Sequence, residues 1–132
     1  MNKLLERLKI NEGFRSKVYK CTMGIDTFGY GFTYITREEA DLILEMRLKD
    51  LWEQAEKVLD DKKIHLNDVR KGVIVEMFYQ LGKEGTLKFV KMWDALSKKD
   101  YNKAALEMLD SNWYIQTPAR CKQLSLLMRK GV

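Results

Sequence analysis

Thr36-Arg37-Glu38-Glu39 is a capping box: a Thr at the N-cap, a Glu three positions on, each able to satisfy a backbone N–H that a helix start leaves without a partner. Behind it, Ala40, Ile43, Leu44, Leu48, Leu51, Trp52, Ala55 and Leu59 recur at helical spacing on one stripe. This predicts a helix of about five turns, long enough to join two lobes. What flanks it differs in kind. Before it, Gly13 to Ile35 carries glycines at 13, 24, 29 and 31 and the β-forming run Thr27-Phe28-Gly29-Tyr30-Gly31-Phe32-Thr33-Tyr34. That texture predicts a small twisted sheet with tight turns.

After the linking helix the pattern is helical to the end. Val69, Val73, Ile74, Met77, Phe78 and Leu81 form a strongly apolar helix that Gly82 stops. A short helix carries Phe89, Val90, Trp93 and Leu96, and another, from Asp100, carries Tyr101, Ala104, Ala105, Met108 and Leu109. Thr117-Pro118 reads as an N-cap with Pro at N1, opening a last helix with Cys121, Leu124, Leu127 and Met128 that ends at Gly131. At the N-terminus Leu4, Leu5 and Leu8 share one helical face. The expected fold class is α+β in one domain: a small β lobe at roughly 13–36, a linking helix at 37–59, and a helical lobe made of 60–132 with 1–12.

Composition narrows the function classes. The chain has 132 residues, 45% hydrophobic and 33% charged, with one proline, which suits a globular fold and excludes collagen and proline-rich linkers. No apolar run reaches the roughly 18 residues of a membrane span. Lys3, Glu6, Arg7 and Lys9 break up the first ten residues, so they read as an amphipathic helix and not a signal peptide. The net charge of +5 favours polyanions: nucleic acid, anionic membranes or acidic wall polymers. The basic residues are spread out, with no recognition helix or aromatic RNA-binding motif, so no nucleic-acid partner is expected. Cys21 and Cys121 read as two reduced thiols, and no Cys/His cluster suggests a metal or other cofactor.

Glu12 falls where the first helix gives way to the glycine-rich segment. Eight residues separate it from Cys21, and five separate Cys21 from Thr27. Glycoside hydrolysis needs one group to protonate the leaving oxygen and another to activate water, or attack, at the opposite face of the sugar. By spacing alone, a solvated helix cap is the commoner account of such a glutamate.

The surrounding residues say more. Leu8-Lys9-Ile10-Asn11-Glu12-Gly13-Phe14-Arg15-Ser16-Lys17-Val18-Tyr19 resembles the opening motif of phage T4-type lysozymes, glycoside hydrolase family 24. Thr27-Phe28-Gly29-Tyr30-Gly31 resembles that family's Thr-Ile-Gly-x-Gly turn, and Glu12, Cys21 and Thr27 fit its catalytic spacing without a gap. Val69-Arg70 through Phe78-Tyr79-Gln80-Leu81-Gly82, with Gly85 and Phe89, looks like its buried helix and turn; Trp113-Tyr114-Ile115-Gln116-Thr117-Pro118-Ala119-Arg120 looks like its Trp-Tyr-x-Gln-Thr-Pro-x-Arg signature.

The resemblance implies a lysozyme-like fold with a cleft between two lobes. It implies an endolysin that cuts the β-1,4 bond between N-acetylmuramic acid and N-acetylglucosamine in peptidoglycan, acting as a monomer without cofactor or membrane insertion. Such a protein waits in the host cytoplasm for a holin-type pore. Glu12 would be the general acid, Thr27 would orient water, and Cys21 would stand at the position of the commoner Asp, as base, nucleophile or spacer. Thr33, Tyr79, Gln80, Glu107 and Arg120 would contact substrate, with packing or an ion pair as the other reading of Tyr79 and Arg120. Phe32 replaces the family's usual His and is expected to pack on the linking helix. The segment after Gly31 is short for the family, so a trimmed β lobe is expected. A catalytically silent peptidoglycan-binding protein of the same fold is the alternative.

Overall fold

The computed structural model describes residues 1–132. The chain divides into two compact units, Met1–Ile43 and Leu44–Val132. Residues 1–12, grouped with the helical lobe in the sequence reading, belong to the first of these units.

The first unit opens with α1 (Asn2–Glu12), which stops at Gly13, whose φ of +69° suits a residue without a side chain. β1 (Arg15–Lys20) and β2 (Asp26–Gly29) pair antiparallel, with Tyr19 opposite Thr27 and Lys20 opposite Asp26. Their connection is tight: Cys21 N–H donates to Ile25 O at 2.9 Å and Gly24 N–H to Cys21 O at 2.8 Å, with Gly24 at φ +75°. The strand ends earlier than the β-forming run suggested. Gly29 and Gly31 both take positive φ and fold the chain back, so that Phe28 and Phe32 exchange backbone hydrogen bonds of 2.9 and 2.8 Å. Tyr30 therefore sits in the turn, Phe32 makes only an isolated bridge to Phe28, and Tyr34 lies beyond both, outside any strand.

The capping box forms as expected. Thr36 N–H donates to Glu39 Oε1 at 3.0 Å, and Glu39 N–H to Thr36 Oγ1 at 3.2 Å. The Thr36 backbone N–H, then its hydroxyl, hold the Glu39 carboxyl below its ordinary pKa. The box's contribution is therefore present above the unfolded carboxylate pKa and lost as pH falls through the lowered value. The helix it opens, α2 (Arg37–Asp61), begins in the first unit and ends in the second, where Ala55, Val58 and Leu59 are buried.

The second unit is all helical: α3 (Asp68–Leu81), α4 (Lys83–Leu87), α5 (Val90–Ser97), α6 (Tyr101–Leu109), α7 (Asn112–Gln116) and α8 (Pro118–Lys130) follow α2. α3 buries Val73, Ile74, Val75, Met77 and Phe78, more than one face of a helix, and so lies inside. Four methionines, Met77, Met92, Met108 and Met128, have no exposed surface and fill the space among α3, α5, α6 and α8 with Ile74, Leu96 and Leu124. All three tryptophans belong to this body: Trp93 and Trp113 are buried and Trp52 packs against the core. The two short helices α4 and α7 are absent from the sequence reading; five residues are too few to show a period.

Polar side chains of α3 fasten it to α8. Asn67 caps α3 by accepting from Arg70 N–H at 3.0 Å while its amide donates to Gly131 O at 2.9 Å. Arg70 donates from Nε to Met128 O at 2.7 Å and from Nη2 to Arg129 O at 2.9 Å, satisfying carbonyls that the last turn of a helix leaves open. Its guanidinium lies 3.5 Å over the Tyr101 ring. Gly131 must lack a side chain here: a Cβ would stand 2.7 Å from the Arg70 guanidinium, on a backbone already at φ +72°. Arg70→Ala is expected to lower the unfolding free energy by about 2–3 kcal/mol. Arg70→Lys should recover little of it, since an ammonium has no planar fork. Urea unfolding followed by circular dichroism checks both.

Candidate active site

Glu12 is the last residue of α1, and α1 ends where it does because Gly13 turns the chain into β1. The Glu12 side chain is exposed and its carboxylate lies beside Gly31, where a Cβ would push this flexible group aside. Gly31 thus does two jobs: it takes the positive φ of the turn, and it leaves room for a carboxylate. Gly29 plays the matching part for Phe32, whose ring would be 2.6 Å from a Cβ at 29. The Gly-x-Gly turn is accordingly a seat, with Glu12 on one glycine and Phe32 on the other. Phe32 packs edge-on against Phe28, 5.8 Å between ring centres.

The other two members of the expected set lie on the hairpin of the same unit. Thr27, on β2, is buried, at 4% exposure, and its hydroxyl donates to Ile25 O at 2.9 Å. Cys21, at the end of β1, is half-buried and unpaired. Its thiol pKa is lowered chiefly by the Ile25 backbone N–H and then by that of Met23; burial opposes this, and the Thr27 hydroxyl adds a smaller pull toward the thiolate. The Thr27 hydrogen therefore has two acceptors in prospect, the Ile25 carbonyl and a Cys21 thiolate. Cys121 is the opposite case: it is fully buried on α8, its thiol bonded to Met108 O at 3.3 Å, and desolvation pushes its pKa up to about 11.

The remaining expected residues divide by unit. Thr33 is exposed in the first, just past the seat. In the second, Tyr79 is 47% exposed at the end of α3, so core packing does not hold it. Gln80 beside it is engaged at both ends of its amide, accepting from Trp113 Nε1 at 3.0 Å and donating to Thr117 Oγ1 at 3.1 Å. Thr117 in turn donates to Trp113 O at 3.3 Å and makes no side-chain cap for α8; the expected N-cap hydroxyl is drawn into this network instead. Arg120 donates to Glu76 Oε2 on α3 at 2.9 Å. Glu107 is part-buried and lines a cavity of about 590 Å³ with Phe89, Lys91, Asp110 and Trp113. No group of three or more His, Cys, Asp and Glu side chains is placed to hold a metal ion.

The sequence reading missed the pairing of Glu12 with Gly31, though the spacing of helix end and glycine turn was visible. It named Arg70 only as part of a motif and missed its bonds to the end of α8, since nothing in one dimension announces which helix end an arginine will reach.

With this geometry in view, comparison with known proteins is informative. The phage lysozyme family model matches residues 9–130. Probable T4-type lysozyme 2 of Dictyostelium discoideum is 26% identical over 163 aligned positions, covering 99% of this chain and 96% of the relative. Probable T4-type lysozyme 1 of the same organism is 24% identical, with the same coverage. The pre-baseplate central spike protein Gp5 of Enterobacteria phage T4 is 26% identical over 162 positions; these take in 97% of this chain but only 28% of the spike protein's length. Each alignment is longer than the 132 residues present here, so these relatives carry segments with no counterpart in this chain. A match over nearly every residue places this chain in the phage lysozyme family.

Proposed function

We propose that this chain is a phage endolysin that hydrolyses the β-1,4 bond between N-acetylmuramic acid and N-acetylglucosamine, and that it lyses the host after release through a holin-type pore. The observation that carries the proposal is the seat of the Glu12 carboxylate on Gly31, in the same unit as the Cys21 and Thr27 pair. In this reading Glu12 gives its proton to the glycosidic oxygen as the bond to the anomeric carbon breaks. Positive charge develops at that carbon, and a thiolate at Cys21 stabilises it or takes a proton from the incoming water. Thr27 positions that water through its oxygen lone pairs, its hydrogen being given to the Ile25 carbonyl. Water adds its hydroxyl to the anomeric carbon, and its one remaining proton returns to the Glu12 carboxylate, either directly or passed on by Cys21 when the thiolate has taken it. Tyr79 and Glu107, neither tied to a protein partner through its side chain, would contact the saccharide, with Thr33 beside the seat. Gln80 and Arg120 would act chiefly by holding Trp113 and α3 in place.

Turbidity loss of permeabilised bacteria tests the reading. The parent should clear the suspension, and Glu12→Gln should slow clearing by at least about a hundredfold, the scale of one general acid. Wall binding without clearing by the parent would favour the silent binder. Reducing-end analysis of the digest should show new N-acetylmuramic acid ends.

The thiols give a second test. At pH 8, Cys21 should react with an alkylating reagent and clearing should stop, while Cys121 should stay unlabelled until the protein unfolds. The Cys21 labelling midpoint should lie below the roughly 8.5 of a free thiol.

If the thiolate is the working form, activity falls as pH drops through the Cys21 pKa. Cys21→Asp should keep clearing, resist the reagent and move that acid limb to lower pH, because a carboxyl ionises near about 4. Clearing by Cys21→Ala at the parent's rate would remove Cys21 from the mechanism.

A further inference from the structure

The loop beside Glu12 is built on two residues that have no side chain to hold its shape. Phe28 and Phe32 exchange backbone hydrogen bonds of 2.9 and 2.8 Å and so close a three-residue loop, Gly29-Tyr30-Gly31. Both glycines are at positive φ, +59° and +74°. Glycine enters that region freely and leaves it as freely, so a loop hung on two of them is loose unless something packs on it. The Phe32 ring does so. It lies over Gly29, where a Cβ would stand 2.6 Å from Cδ2 and 2.8 Å from Cε2, and it meets the Phe28 ring edge to face at 73°. An aromatic ring laid over a glycine supplies the packing that the absent side chain would have given the sheet.

The loop joins two sides of the candidate site. Thr27 immediately precedes Phe28 on β2, and Gly31, beside the Glu12 carboxylate, immediately precedes Phe32. The start of β1 is tied to the same loop, since Arg15 stands opposite Gly29. The Glu12 side chain is exposed, so the place of its carboxylate follows that of the backbone beside it. We propose that Phe32 is a positioning residue for the general acid: by clamping Gly29 to Phe28, its ring keeps Gly31, and with it the Glu12 carboxylate, at a fixed place relative to Thr27. The inference rests on the reading of Glu12 as the acid of a glycan hydrolase and adds to it the side chain that sets where the acid stands. Phe32 touches no substrate in this account and acts only through Glu12. A shift of about 1 Å in a reacting group is enough to slow a bond-breaking step substantially, so a ring that only fixes a loop has a large lever on rate.

Two measurements on the full chain separate positioning from general support of the hairpin. In nuclear Overhauser spectra the Glu12 side-chain protons should show contacts with the Gly31 α-hydrogen that occupies the Cβ direction, a place 3.7 Å from Glu12 Cβ. Phe32→Ala should lose these contacts and Phe32→Tyr should keep them, while the cross-strand contacts of Tyr19 with Thr27 persist in both. In clearing kinetics Phe32→Ala should lower kcat by about tenfold to a hundredfold with KM nearly unchanged, and Phe32→Tyr should recover the rate. Added to Glu12→Gln, Phe32→Ala should slow the residual rate by less than about twofold, because the group it positions is already gone. Unchanged contacts between Glu12 and Gly31 in Phe32→Ala overturn the proposal. So does an equal fold loss with and without Glu12→Gln. Loss of the Tyr19 and Thr27 contacts in both Phe32→Ala and the milder Phe32→Leu overturns it too, since the ring would then support the whole hairpin. Failure of the parent to clear bacteria would sink the hydrolase reading instead, and the Overhauser contacts would still decide whether Phe32 keeps Gly31 beside Glu12.

Discussion

The second unit depends on one helix that is buried on more than one face. α3 is buried across Val73, Ile74, Val75, Met77 and Phe78, and a helix so placed has to find partners for every polar group it carries. Lys71 turns to Glu56 of α2 and Tyr79 stays open to water, and the other bonds lie along α8 and the turn before it. Arg70 closes the C-terminal turn of α8, Glu76 holds Arg120 near its start, and Gln80 joins Thr117 and Trp113 just before it. The two helices therefore run antiparallel, and the polar pins fix their register from end to end. Apolar packing alone would let α8 slide or rotate at little cost; directional bonds at three heights do not.

Much of this body was legible in one dimension. The linking helix, α3, α6 and α8 show clear apolar stripes, and their ends follow rules that need only a few residues: the Thr36 to Glu39 box, Gly82, and Gly131 at the left-handed C-cap. α4 and α7 were not legible because a five-residue helix completes little more than one turn. β2 was overread because Tyr30, Phe32 and Tyr34 have the chemistry of strand residues while Gly29 and Gly31 impose the geometry of a turn. Side-chain propensity lost to backbone sterics there.

The candidate site divides in the same way. Glu12, Cys21 and Thr27 were picked out by the family motif and not by spacing alone; of the three, the hairpin accounts for Cys21 and Thr27, since Tyr19 opposite Thr27 puts them near the same end of the sheet. The residues of the helical unit were harder. Gln80 and Arg120 are polar groups on apolar helices, and the sequence cannot say whether such a group faces a ligand or a neighbouring helix. Their bonds to Trp113, Thr117 and Glu76 are long-range, between positions more than thirty residues apart. Thiol chemistry was also split: two cysteines of equal standing in the sequence become an open, acidified group at 21 and a sealed, inert one at 121.

Four of the side chains with no exposed surface are methionines. An unbranched thioether has three soft torsions and a polarisable sulfur, so it can reshape itself around a changed neighbour where a β-branched residue would leave a gap or a clash. An interior built this way bends with mutation instead of resisting it. That pliancy leaves this interior room to absorb exchanges of its neighbours, with evolutionary latitude stored in the centre of the molecule and not only on its skin.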